Sequence, residues 1–156
     1  MRELIWLARY KNALTKYYVG DLEEQEANLR LAKWIETVED DSDEEIEDSA
    51  FYDGDGTPEE DVISIKKKYT FEGFYDDEDP AHRFIADLEF ETGEGRKIWF
   101  KQERTSGEVL EGPATVTEPK VTGGEASEFQ HFSFAIAWDR KPTITNGTSD
   151  GGGTED

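Results

Sequence analysis

Asp53 and Asp55 stand two apart in the run DGDGTPEED, the spacing of the first two carboxylates in a calcium-binding loop. The remainder of such a loop is missing. Thr57 stands where a third acid is preferred, Pro58 takes the place of the obligatory glycine, and Ser64 replaces the bidentate glutamate. A turn built from Asp-Gly repeats explains the stretch at least as well. The two histidines, His82 and His131, are expected on a helix surface and a strand face, and neither has a nucleophile pattern beside it. The sequence holds no G-x-S-x-G elbow, phosphate-binding loop or His-rich metal spacing. Among 38 carboxylates some pair is always close, so number alone cannot define a glycosidase-type acid pair. The chemistry-bearing residues do not add up to an enzyme, and they imply neither a cofactor nor a metal.

The carboxylates do have an organisation. Of the 38, thirteen fall in residues 39–61, EDDSDEEIEDSAFYDGDGTPEED, a run without Lys, Arg or His that nevertheless carries Phe51 and Tyr52 at its centre. A purely solvating acidic tract has no use for aromatics. With only 17 basic residues the formal charge is −21, which repels DNA phosphates and anionic lipid and argues against tight binding to either. The absence of cysteine rules out disulfides and thiol chemistry but leaves the compartment open. MRELIWLARY lacks a small-residue cleavage site, so no signal peptide is expected, and no apolar run approaches the ~18 residues of a membrane span.

Residues 3–10, ELIWLARY, form an apolar segment of ambiguous type, and KNALTKYYVGD reads as a connector. NLRLAKWIET alternates, with Leu29, Leu31 and Ile35 on one side, and reads as a strand. After the acidic run, VISIKKKYTFEGF alternates again, placing Ile63, Ile65, Tyr69 and Phe71 on one face. Residues 38–61 therefore join two strands by a connection far longer than a hairpin loop, which points to a functional loop. In DDEDPAHRFIADLEFETG the period becomes helical: Asp79 at the N-cap, Pro80 at the first position, Phe84, Ile85 and Leu88 spaced along one face, Gly93 past the end. That predicts an amphipathic helix of about ten residues. RKIWFKQE is a strand with Ile98 and Phe100 opposite Lys97, Trp99 and Lys101. EVLEGPATVTEPKVT reads as a strand interrupted near Gly112-Pro113, which suggests an edge or a bulge. EFQHFSFAIAWD puts Phe132, Phe134, Ile136 and Trp138 on one face. The expected fold is mainly β with one α-helix, a β-sandwich or flattened barrel over residues 1–140 with a long acidic inter-strand loop. Residues 141–156, rich in glycine and acid, read as a flexible tail.

From Tyr69 to Trp138 the sequence resembles the major tail tube protein of long, non-contractile-tailed bacteriophages of Gram-positive hosts. The residues that carry the resemblance are Phe71, Glu72, Gly73, Tyr75, Asp76, Asp79, Ala81, Phe84, Ile85, Gly95, Lys97, Trp99, Gly112, Ala114, Gly124, Ile136 and Trp138. They are scattered identities over about half the chain. The resemblance implies a virion protein, assembled in the host cytoplasm, whose hexameric rings stack into a hollow tail tube. A long inter-strand loop would reach the neighbouring ring. Double-stranded DNA would pass through without tight binding. The tape measure, tail terminator and distal tail proteins would be partners, and no membrane would be involved.

On this reading Phe51 and Tyr52, with Asp53 and Asp55 beside them, are inter-subunit loop contacts, because aromatics carry interface energy at low entropic cost. Glu72, Glu89 and Glu103, in or beside predicted regular elements, are candidate acids of the lumen wall. Two other readings remain open at this level. One is a secreted or surface β-sandwich binding module, calcium-dependent if Asp53 and Asp55 hold an ion. The other is an acidic DNA mimic, which would want its carboxylates on a rigid face.

Overall fold

The computed structural model describes residues 9–146. Among the described residues are ten strands: β1 (Lys16–Gly20), β2 (Leu29–Arg30), β3 (Ile35–Asp40), β4 (Asp43–Ser49), β5 (Glu59–Lys66), β6 (Lys68–Phe74), β7 (Lys97–Glu103), β8 (Glu108–Lys120), β9 (His131–Trp138) and β10 (Thr143–Asn146). One helix, α1, spans Pro80–Ala86. Eight strands form an antiparallel sheet in the order β2-β1-β7-β8-β9-β6-β3, with β10 beside β8, and β4 pairs with β5 apart from it.

Alternation builds the core. Ile98 and Phe100 of β7, Ala114 and Val116 of β8, Phe132, Phe134 and Ile136 of β9 and Phe71 of β6 are all buried on the inner face. The sheet is curled into a half-barrel. In a flat sheet β1 and β6, four steps apart, would be separated by about 19 Å. Instead the Tyr17 ring of β1 lies 5.2 Å from Phe71 and 5.8 Å from Tyr69 of β6. Residues 31–34 close the gap by stepping from one sheet edge to the other. Leu31 N–H donates to the Tyr17 carbonyl of β1, and Phe74 N–H of β6 donates to the Trp34 carbonyl. Trp34 holds a positive φ of 59° to make the step, and a Cβ on Gly73 would overlap the Trp34 carbonyl. NLRLAKWIET is thus two strands with a bridge between them, although Leu31 and Ile35 still face inward.

Several other segments differ from expectation. KNALTKYYVGD contains β1, an internal strand paired with β2 and β7. β8 runs through Gly112-Pro113 unbroken, between β7 and β9. The Pro113 carbonyl accepts from Asp139 N–H, so its ring nitrogen points the same way, toward the end of the β8–β9 ladder and before β10 begins, where only the final bond of the pairing needs an N–H. The bulge lies further on, at Glu118, with φ 52°. Helix α1 has seven residues, and turns at Leu88, Glu89 and Glu91 follow it. The Arg96 guanidinium ties this end down by donating to the Glu89 and Val116 carbonyls. β10 pairs Thr143–Asn146 with Glu108–Glu111, so ordered chain continues past the expected boundary at residue 140. The rest of the expected tail, like most of ELIWLARY, lies outside the described residues.

His82 is not on the helix surface. It is fully buried beside Ala81 and Ile85, with its ring 4.4 Å from Phe132. Nδ1 accepts from Asp76 N–H at 3.0 Å, and Nε2 donates to the Lys33 carbonyl at 2.8 Å. Burial pushes its pKa down, so the ring is neutral and joins the helix to the bridge. The Asp76 carboxylate, 2.6 Å from Lys33 Nζ and bonded to Glu78 N–H, is held below the usual range chiefly by that lysine.

Candidate assembly surface

The long acidic loop is folded. Most of it is the hairpin β4–β5, an arm that continues the β3–β6 pair beyond the half-barrel. A polar clasp fixes its root. Asp41 N–H donates to the Lys68 carbonyl, Lys68 N–H to Ser42 Oγ, and Lys67 Nζ lies 2.7 Å from Asp40. Burial alone would raise the Asp40 pKa, but hydrogen bonds from Lys67 and Ser42 bring it below its ordinary value. β5 is exposed at every position. Ile63 and Ile65 therefore do not share the core face of Tyr69 and Phe71, because at Lys67 the chain leaves the sheet.

Two features of the arm are unfavourable in an isolated chain. The first is apolar exposure: Ile46, Val62, Ile63 and Ile65 are each more than half exposed, and at the tip Phe51 is 64% and Tyr52 108% exposed. The second is charge. Glu47 lies directly opposite Asp61, and Asp48 opposite Glu60, like charges facing each other across the ladder. Among the described residues no Lys or Arg pairs with a carboxylate of β4 or β5.

The structure brings the four loop candidates together at the tip. Phe51, Tyr52, Asp53 and Asp55 lie in the turn between β4 and β5, where Asp55 accepts from Thr57 N–H at 2.9 Å. That bond to its own turn lowers the Asp55 pKa. No group of three or more His, Asp or Glu side chains suited to a metal occurs among the described residues. The three wall candidates are dispersed. Glu72 is exposed on the outer face of β6, and Glu103 is on the outer face of β7, 3.7 Å from Lys101. Glu89 follows α1. The outer face between them is mixed: Lys97 bonds Thr115 and Asp139, Trp99 donates to Glu111, and Lys101 sits over the Tyr18 ring. No described helix is long and apolar enough to cross a membrane.

Sequence reasoning missed a cationic groove at the arm's root. Val62, Ile63 and Ile65 form one side, and Leu110, Trp138, Pro142 and Ile144 contribute its apolar surface. Lys67, Arg104, Arg140 and Lys141 line it as well. The signal was visible: IKKK comes three residues after the acidic run, and DRK follows β9.

No family model and no curated protein matches the sequence. Solved structures share the fold. A chain in the tail of an empty gene transfer agent particle, refined with C6 symmetry, aligns at TM-score 0.65 and 15% identity over 88% of this chain and 99% of its own. A chain of the native gene transfer agent virion aligns at 0.66 and 13% identity, over 88% and 99%. A chain of the sheath–tube complex of an extracellular contractile injection system, in its extended state, aligns at 0.55 and 11% identity, over 94% and 97%.

Proposed function

We propose that this protein is a structural subunit of a phage-like tail tube. The observation that carries the reading is the arm, a projecting hairpin with bare aromatics at its tip and like charges facing each other across its ladder, on a half-barrel whose fold recurs in a particle tail. A projecting element with these properties wants a partner. Hexameric rings of this subunit, its domain extended from the expected residue 140 to include β10, stack into a tube, and Phe51, Tyr52, Asp53 and Asp55 reach the adjacent ring. Glu72, Glu89 and Glu103 belong to the lumen wall, over which DNA slides during ejection. The tube meets a tape measure, a terminator and distal tail proteins in a virion built in the host cytoplasm. A long, non-contractile tail of a phage of Gram-positive bacteria fits the sequence resemblance.

Negative-stain imaging of the purified protein across a concentration series tests the reading. Rings or tubes of uniform diameter are expected. Monomers alone at every concentration and salt would overturn it.

A further inference from the structure

Assembly through a projecting arm needs a surface that receives it, and the tube reading does not say which. We infer that the groove lined by Lys67, Arg104, Arg140 and Lys141 is the receptor for the arm tip of a second copy of this chain. The inference rests on the tube reading and names its contact.

The chemistry of the two surfaces matches. The groove combines apolar surface from Leu110, Trp138, Pro142 and Ile144 with cationic side chains. The tip combines two exposed aromatics with Asp53, Asp55, Glu59, Glu60 and Asp61. Lys67 is engaged by Asp40, and the groove's other three cations are available. Arg140 and Lys141 have no carboxylate partner among the described residues, and the Arg104 guanidinium donates only to the Gln102 amide oxygen. The arm's one cation, Lys66, stands opposite Asp43 at the root, away from Glu47 against Asp61 and Asp48 against Glu60.

The occupant comes from another copy because the molecule's own tip is out of reach. Val62 is the last arm residue to line the groove, and from there the hydrogen-bonded ladder carries Glu59 three residues, about 10 Å, further out, with Phe51 and Tyr52 beyond it in the turn. Donor and acceptor are different patches of one chain, so the contact is heterologous: it propagates from copy to copy and closes only if the rotation allows.

A charge swap tests this. Arg104→Glu, Arg140→Glu and Lys141→Glu reverse the groove, and Asp53→Lys, Asp55→Lys and Glu59→Lys reverse the tip. Each variant alone, with folding verified by near-ultraviolet circular dichroism, should sediment as monomer where the wild type assembles. An equimolar mixture should regain assembly, because each basic surface then meets an acidic one. If the reversed groove fails to fold, Arg140→Gln with Lys141→Gln, both exposed positions, should raise the assembly threshold at least tenfold. A folded groove variant that assembles like the wild type, or a mixture of folded variants that stays monomeric, overturns the groove assignment and leaves the tube reading standing. A wild type that never assembles overturns both.

Discussion

The His82 imidazole holds α1, the Asp76 turn and the edge-to-edge bridge together with two hydrogen bonds, both directed at backbone. Replacing it by alanine removes a buried ring and orphans the Asp76 amide and the Lys33 carbonyl. His82→Ala should therefore cost about 3 kcal/mol in urea unfolding. The same residue sets a pH response. The unfolded chain takes up a proton at His82 near pH 6.5, while the buried ring resists it to a lower pH. Stability should fall as pH drops below about 6.5 and level off beneath the folded value. Asp40 and Asp76, both depressed in the fold, add a further loss as pH falls through and below about 4. His82→Gln should flatten the slope between pH 6.5 and 5.5 without touching the acid limb. Urea midpoints of both proteins across that range check it, and identical slopes would refute the role. Gly73 is the second sensitive position. Gly73→Ala drives a methyl group into the Trp34 carbonyl and should cost more than ~2 kcal/mol, measured the same way.

At the scale of elements the arm and the half-barrel are energetically separate. β5 is exposed throughout, and no residue of β4 or β5 belongs to the core cluster. Excising residues 43–65 and joining the clasp with a Gly-Gly turn should move the melting temperature by only a few degrees while abolishing assembly. Differential scanning calorimetry with sedimentation separates the two effects. A collapse in melting temperature would mean that the arm braces the sheet, and normal tubes would remove the arm from the assembly. The arm was only partly legible in sequence. Its length and its aromatics were plain from residues 39–61, but its strands were not, because carboxylates disfavour strand and the alternation of Ile63 and Ile65 looked continuous with that of Tyr69 and Phe71. The break at Lys67 is a matter of which partner each half finds: β5 pairs with β4, and β6 with β3 and β9.

Over the whole molecule, a formal charge of −21 opposes any encounter of two copies, while arm and groove attract at short range. The two forces are screened at different salt concentrations. The Debye length falls from about 30 Å at 0.01 M to about 10 Å at 0.1 M and about 3 Å at 1 M. Assembly should rise steeply from 0.01 to 0.1 M as general repulsion is screened, then weaken toward 1 M as arm and groove lose their attraction. Light scattering across this series reads both limbs. A monotonic rise to 1 M would leave the contact purely apolar.

Sequence alone determined the features that depend on local pattern. Alternation in FSFAIAW and KIWF set the inner face, Asp79-Pro80 set the start of the helix, and the thirteen acids of residues 39–61 set where charge accumulates. Tertiary structure alone decided what depends on closure. Whether a strand is edge or centre, as for β8 with its Pro113, depends on neighbours distant in the chain. His82 became buried because the bridge at Lys33 came to meet it from 49 residues away. The groove gathers Lys67, Arg104 and the neighbouring pair Arg140 and Lys141 from three separate places in the chain. Period and composition are properties of neighbouring residues, and only a folded sheet brings distant ones into register.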